Sequence, residues 1–395
     1  MYLTNKEEAI LNGEQGEVMG RLFRLLTRLG EIYNADKMIP VGSVQVAGVS
    51  YKSIGDPGLA FLEDIAKQHV KVKVLTFLNP AGMDLEHWKE LGFPKDFAEN
   101  QLRIMDAFKD MGIVVTSTCT PYLAGNLPRF REHIAWSESS AVSFSNSVIG
   151  ARTNREGGPS ALAAAICGLT PNYGLHLWEN RQPTMKITVD ANLSYAADFG
   201  ALGYYVGKQV KNKIPYFTGI PDVNTDFLKA LGAAMAASGA VALYHIEGLT
   251  PEADLVENKN LETIHVSQQD LDETYETLNQ GKDPDIIIFG CPHASLREIA
   301  TLAEQVQGKQ LKKPVWICTS RLMKEASDRM GFTEIIEDAG GKIVADTCMV
   351  VSPIEQMGYK TTAVNSGKAA NYLPGFCKQE VVYNNMHKLI KEALA

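Results

Sequence analysis

Three of the chain's six cysteines stand where an apolar strand pattern stops. Cys119 ends IVVTSTC, Cys291 directly follows DIIIFG, and Cys348 ends KIVADTC. Ligands on α/β sheets collect at the carboxyl ends of strands, so these thiols are candidates to meet in space. Three thiolates from separate strand ends can grip three irons of a cubane iron–sulfur cluster and leave the fourth open to a substrate oxygen. Such an iron is a Lewis acid suited to dehydration of a hydroxy acid: it polarises the departing hydroxyl, basic side chains hold the carboxylate, and a base takes a proton from the neighbouring carbon. A tetrahedral zinc site competes for the same ligands, with His293 two residues beyond Cys291, and apolar packing is a third use of a buried thiol. No compact CxxC pair separates these readings. Cys318 ends VWIC without a neighbouring Gly, Pro or His and reads as core packing, while Cys167 and Cys377 are assigned no chemistry.

Dense polar strings surround these cysteines. The segment 119–158 carries Ser137, Glu138, Ser139, Ser140, Asn146, Ser147, Arg152, Thr153, Asn154 and Arg155. Arginine and lysine complement carboxylate or phosphate oxygens, and hydroxyls and amides fix orientation. The plainer reading of each is a solvated turn or a helix cap. NSGKAANY, residues 365–372, places Ser366, Gly367 and Lys368 at a helix start suited to anions, but lacks the first glycine and the spacing of a Walker A loop. Ser50 after the first strand pattern and Asn79 after the second extend the candidate substrate-binding set.

The elements that must position these residues follow from periodicity. Thr4 and Glu7 have capping-box spacing, and Val18, Leu22, Leu25, Leu26 and Leu29 recur at helical intervals, which predicts one long first helix closed by Gly30. Runs from Val44, Val72 and Ile113 read as strands with helices between them, 146–158 reads as an exposed functional loop, and an Ala-rich helix starts at Ser160. The Gly-rich region around Gly200, Gly203 and Gly207 resists assignment. The polar stretch 257–283 reads as a linker or a helix. From Asp285 a strand–helix alternation resumes. The expectation is an α/β fold with mostly parallel sheets flanked by helices, divided into an N-terminal region 1–275, which can hold more than one subdomain, and a C-terminal α/β region 276–395 carrying two of the cysteines.

Composition narrows the function. With 45% apolar and 21% charged residues the chain can bury a large core, and a net charge of -8 argues against a nucleic-acid surface while permitting a local anion pocket. No stretch approaches about 18 uninterrupted apolar residues, so no membrane span is expected. The amino terminus carries no signal pattern, and a reducing cytoplasm with free thiols is the expectation.

STCTPYL, IAWSESSAV with FSNSVIGARTNREGG, GLTPEA, FGCPHAS, ADTCMVV and NSGKAANYLPG together resemble the large subunit of the aconitase X family, over residues 3–375. The resemblance implies an aconitase-like architecture and an iron–sulfur cluster, 4Fe–4S in type, with Cys119 in TCTPY, Cys291 in GCPH and Cys348 in DTC as ligands. The family includes bacterial cis-3-hydroxyproline dehydratases and archaeal mevalonate 5-phosphate dehydratases, which form trans-anhydromevalonate 5-phosphate. The resemblance further implies a smaller swivelling domain, here expected from a separate small subunit in a heterodimer or higher heteromer, that closes the site and contributes a catalytic serine. No catalytic base is assigned to this chain. REGGPSALAAAICGLTPNYGLHLWENRQPT looks closer to the phosphate-substrate branch, and a phosphomonoester needs more positive potential than zwitterionic hydroxyproline; Arg152, Arg155 and Lys368 are the candidates to supply it. From another class, a zinc-dependent binding or scaffold protein uses the same cysteines without catalysis.

Overall fold

The computed structural model describes residues 1–395. The first unit contains β1 (Met38–Pro40), β2 (Ser43–Val46), β3 (Leu75–Leu78), β4 (Val114–Ser117), β5 (Ala135–Trp136) and β6 (Leu169–Pro171), with helices α1 (Asn5–Leu11), α2 (Glu17–Ile32), α3 (Tyr51–Lys67), α4 (Lys95–Asp110), α5 (Ser139–Phe144) and α6 (Gly158–Cys167). The second holds β7 (Met185–Val189), β8 (Pro215–Thr218), β9 (His245–Ile246) and β10 (Thr263–Val266) with α7 (Ala196–Val210), α8 (Thr225–Gly239) and α9 (Gln268–Leu278). The third holds β11 (Ile286–Phe289), β12 (Val315–Thr319), β13 (Lys342–Ala345), β14 (Thr361–Val364) and β15 (Glu380–Tyr383) with α10 (Leu296–Val306), α11 (Arg321–Arg329), α12 (Phe332–Asp338), α13 (Gly367–Cys377) and α14 (Met386–Leu394).

Three sheets result, in the orders β4-β3-β2-β5, β10-β7-β8-β9 and β13-β12-β11-β14-β15, and every pairing within them is parallel. Only β1 and β6 pair antiparallel. Helices cover both faces, so strands such as β2, β11, β12 and β14 are buried along their whole length, and β11 is an unbroken apolar run, IIIF. The largest core contains Phe97 of the first unit, Ile187 and Phe217 of the second and Ile288 and Val364 of the third, so apolar packing is continuous across all three. No helix is long and apolar enough to cross a membrane.

Several sequence expectations change. The Thr4–Glu7 capping box forms, but the single long helix is two, because Gly13 and Gly16 adopt φ of 84° and 107° between α1 and α2. Gly30 lies inside α2, packed so closely that a Cβ would sit 2.7 Å from the Met1 sulfur. Residues 146–158 are mostly buried: a π-helical turn, Ser145–Ile149, continues α5 and carries the segment into the interior. The Gly-rich region is α7, and 257–283 contains β10 and α9.

Candidate active site

The carboxyl ends of the first and third sheets face one cavity of about 330 Å³. Each strand of the first sheet delivers a lining residue just beyond its end: Ala47 after β2, Asn79 and Pro80 after β3, Cys119 after β4, and Ser137, Glu138 and Ser139 after β5. The third sheet delivers Cys291 after β11, Cys348 after β13, and Lys368 in the first turn of α13. Gly290 makes the turn into Cys291 possible: its φ is 93°, and an added Cβ would lie 2.0 Å from the Cys318 carbonyl oxygen.

The three thiols are buried and unbridged. The interaction with Cys348 and burial push the Cys291 thiol up, the same interaction lowers Cys348 to about 7, and burial, partly opposed by Lys368, pushes Cys119 up to about 12. Cys119 Sγ accepts the His293 backbone N–H at 3.1 Å. Both ring nitrogens of His293 are engaged, Nδ1 with Thr118 Oγ1 at 3.0 Å and Nε2 with the Thr347 carbonyl at 2.9 Å. That engagement corrects its reading as a zinc ligand, since no ring lone pair is free. No three His, Cys, Asp or Glu side chains stand in an arrangement for a single metal ion.

Opposite the thiols, the Lys368 ammonium pairs with the Glu138 carboxylate and donates to Ser140 Oγ at 3.1 Å. Glu138 also accepts from Ser140 Oγ at 2.5 Å, Ala141 N at 2.8 Å and Ser139 Oγ at 3.2 Å. Burial alone pushes the Glu138 carboxyl up, but Lys368 and these donors outweigh it and hold it below the usual carboxylate range. Burial likewise works against the Lys368 charge, and Glu138 reverses the effect, leaving Lys368 above its ordinary value. The pair is therefore ionised in the interior. Asn79 Oδ1 is buried at this cavity without a partner, and Arg155 lines it as an exposed cation.

Of the expected residues, the cavity gathers Asn79, Ser137, Glu138, Ser139, Arg155 and Lys368 with the three cysteines. It does not gather Ser50, Asn146, Arg152, Thr153, Asn154 or Ser366. Ser50 caps α3 and donates to the Val351 carbonyl at 2.7 Å. Ser366 caps α13 by accepting from Ala369 N at 3.0 Å. Asn146 donates to the carbonyls of Thr153 at 2.9 Å and Ala242 at 3.0 Å and accepts from Arg181 at 3.2 Å. Thr153 Oγ1 accepts from Trp136 N at 3.0 Å, Asn154 bridges Tyr173 and Leu175, and Arg152 donates to the His176 carbonyl at 3.2 Å. These side chains brace the buried turn rather than facing the cavity. Sequence reasoning missed Ser53, Tyr372 and Phe376, which also line it; each lies one or two helical turns beyond a residue it singled out, so extending those positions along α3 and α13 would have found them.

Comparison with known proteins follows the same map. Models described as aconitase X first, second and third domain match residues 1–179, 183–276 and 284–395. The phosphomevalonate dehydratase large subunit of Methanocaldococcus jannaschii is 58% identical, over 99% of this chain and 100% of that protein. The cis-3-hydroxy-L-proline dehydratase of Pseudomonas aeruginosa is 32% identical over 98% of this chain, which spans 69% of that protein. The crystal structure of Thermococcus kodakaraensis aconitase X in its holo-form superposes with a TM-score of 0.94 at 51% identity, covering all of both chains. Parallel sheets in this arrangement, matched in sequence and in coordinates from end to end, leave one assignment: the chain belongs to the aconitase X family.

Proposed function

We propose that this chain is the large subunit of a hydro-lyase that dehydrates mevalonate 5-phosphate to trans-anhydromevalonate 5-phosphate, with Cys119, Cys291 and Cys348 holding an iron–sulfur cluster of the 4Fe–4S type. The observation that carries the reading is the convergence of three buried thiols, each from a different strand end, on one cavity beside the Lys368–Glu138 pair. The donor set fits the group: all three are soft sulfur ligands, they line a cavity rather than a single-ion cage, and six free cysteines suit a reducing cytoplasm. When bound, the cluster supplies a Lewis-acidic iron for the departing hydroxyl oxygen.

This chain's residues bind and orient. The volume lies near the lower end of the roughly 300–1,000 Å³ usual for ligand pockets, adequate for a small hydroxy acid. Lys368 has three N–H donors, of which Glu138 and Ser140 take two, so one remains for a substrate oxygen. Arg155 offers a planar fork to the carboxylate or the phosphate, and Asn79, Ser137 and Ser139 supply neutral polar groups around it. With Glu138 held ionised and occupied by four donors, it serves as the counter-ion of Lys368 and not as the proton acceptor; the base comes from the small subunit.

The test is anaerobic purification with the small subunit, analysis for iron and sulfide, and parallel assay of mevalonate 5-phosphate and cis-3-hydroxyproline. The expected product is a brown complex that dehydrates the phosphate ester. A colourless, metal-free complex with full activity would overturn the mechanism, and turnover of hydroxyproline alone would overturn the substrate.

A further inference from the structure

We infer that His293 is a positioning residue whose imidazole ties the three cysteine-bearing loops into one constellation. Its ring touches the residue immediately before Cys119 and the residue immediately before Cys348, and its own chain reaches Cys291 two residues earlier. Thr118 Oγ1 lies 3.0 Å from Nδ1 and the Thr347 carbonyl 2.9 Å from Nε2, while the His293 backbone N–H reaches Cys119 Sγ at 3.1 Å. A carbonyl can only accept, so Nε2 carries the proton and Nδ1 accepts from the Thr118 hydroxyl. That hydroxyl in turn accepts the Thr120 backbone N–H at 3.1 Å, which orients it toward the ring. The imidazole is fully buried, with both nitrogens satisfied and no solvent path to compete. Lys229 separately holds the His293 carbonyl at 3.0 Å, so the backbone of this loop is anchored independently of the ring.

Loops from two different sheets have no covalent reason to keep sulfurs in register. A rigid aromatic ring hydrogen-bonded at both ends supplies one, and partners of this kind govern how firmly ligands hold a metal centre. The inference rests on the cluster reading for its first readout but not for its second.

The experiment uses the complex with the small subunit and compares wild type with His293→Ala, His293→Gln and Thr118→Val. Iron loss to a chelator is expected to be about 10–100-fold faster in His293→Ala, less so in Thr118→Val, which removes one of the two ring bonds, and partly restored in His293→Gln, whose amide keeps a donor and an acceptor. In metal-stripped complex, a short bifunctional thiol reagent is expected to bridge Cys119 to Cys291 or Cys348 in wild type and to lose that yield in His293→Ala. Thermal unfolding checks the fold of each variant, and Thr118→Val carries the test if His293→Ala does not fold. Wild-type iron retention and wild-type bridging in folded His293→Ala and Thr118→Val would overturn the inference. If wild type binds no iron, the cluster reading fails and the bridging yields alone decide the role of His293.

Discussion

Lys368 and Glu138 are ions of opposite sign placed where neither would be stable alone. Removing one partner of a buried pair leaves the other uncompensated, so Lys368→Met should destabilise the chain by about 3–5 kcal/mol in urea unfolding. It should also raise KM, because the donor proposed for the substrate is lost. The sign of the acid dependence follows from Glu138: its folded pKa lies below the unfolded one, so its contribution is present above the ordinary carboxylate value and lost as pH falls through the folded value. In Lys368→Met that contribution disappears, so the variant's stability deficit should be largest near neutral pH and shrink as pH falls through the folded Glu138 value. The cysteines divide in the same way. Serine at Cys119, Cys291 or Cys348 should abolish iron retention and visible absorbance, whereas Cys377→Ser, at a thiol that contacts Lys52 at the far end of α13, should leave both intact. Unchanged iron spectra in all three cavity variants would remove the ligand assignment.

Helix α7 shows how an element governs a residue it does not contain. An added Cβ on Gly203 would lie 2.4 Å from the Leu231 carbonyl oxygen, so α7 and α8 approach backbone to backbone. An added Cβ on Gly200 would lie 2.6 Å from Tyr383 Oη and 3.0 Å from Gly367 N, the first residue of α13. Lys368 follows directly. Gly200→Ala should therefore cost about 1–3 kcal/mol through overpacking, read as a lower melting temperature, and should raise KM as the α13 terminus shifts; an unchanged KM would separate α7 from the site. The glycines at 200, 203 and 207 resisted assignment from sequence because glycine opposes helix by propensity, and the close helix packing that overrides it is a tertiary fact. The strands ahead of the cysteines were legible because each holds a short run of β-branched residues bounded by turn residues: Val114 and Val115 in β4, Ile286 to Ile288 in β11, Ile343 and Val344 in β13.

Across the whole molecule, Asp84 of the first unit and Asp346 of the third share Arg321, with Nη2 at 2.6 Å from each carboxylate. Asp84 also accepts from Ala345 N at 2.9 Å, and Ala81 N donates to the Asp346 carbonyl at 2.8 Å. The network thus ties the loop after β3 to the loop that presents Cys348. The two acids respond in opposite directions: for Asp84, Arg321 and backbone donors outweigh burial and hold the carboxyl down, whereas burial prevails at Asp346 and raises it to about 6. Arg321→Met should cost about 3–5 kcal/mol and weaken iron retention together, a pairing that a purely local defect would not produce. Burial also holds His176 to about 3 and His245 to about 4, so both are neutral when folded. Unfolding raises each toward about 6.5. Their contribution is complete above that value and lost as pH falls through it, while Asp346, protonated when folded below about 6, opposes them by one proton. With His293 likewise held to about 3 by burial, the histidines outnumber the acids that oppose them, and stability should fall as pH drops from about 6 to 4, measured as urea midpoints; a flat or rising profile would contradict neutral burial of the histidines.

Local pattern alone established the strand–helix alternation, the parallel sheets, and the strand ends from which Cys119, Cys291 and Cys348 emerge, because period and turn chemistry act over a few residues. Which polar residues of 137–155 face the cavity was decided in three dimensions: the end of β5 sets Glu138 in the cavity wall, the π-helical turn buries Asn146 away from it, and Arg155 lines it as an exposed residue. The Lys368–Glu138 pair joins positions 230 residues apart, and His293 joins loops of two sheets. Contacts of that separation exist only once the sheets are packed against one another, and no local periodicity encodes their register.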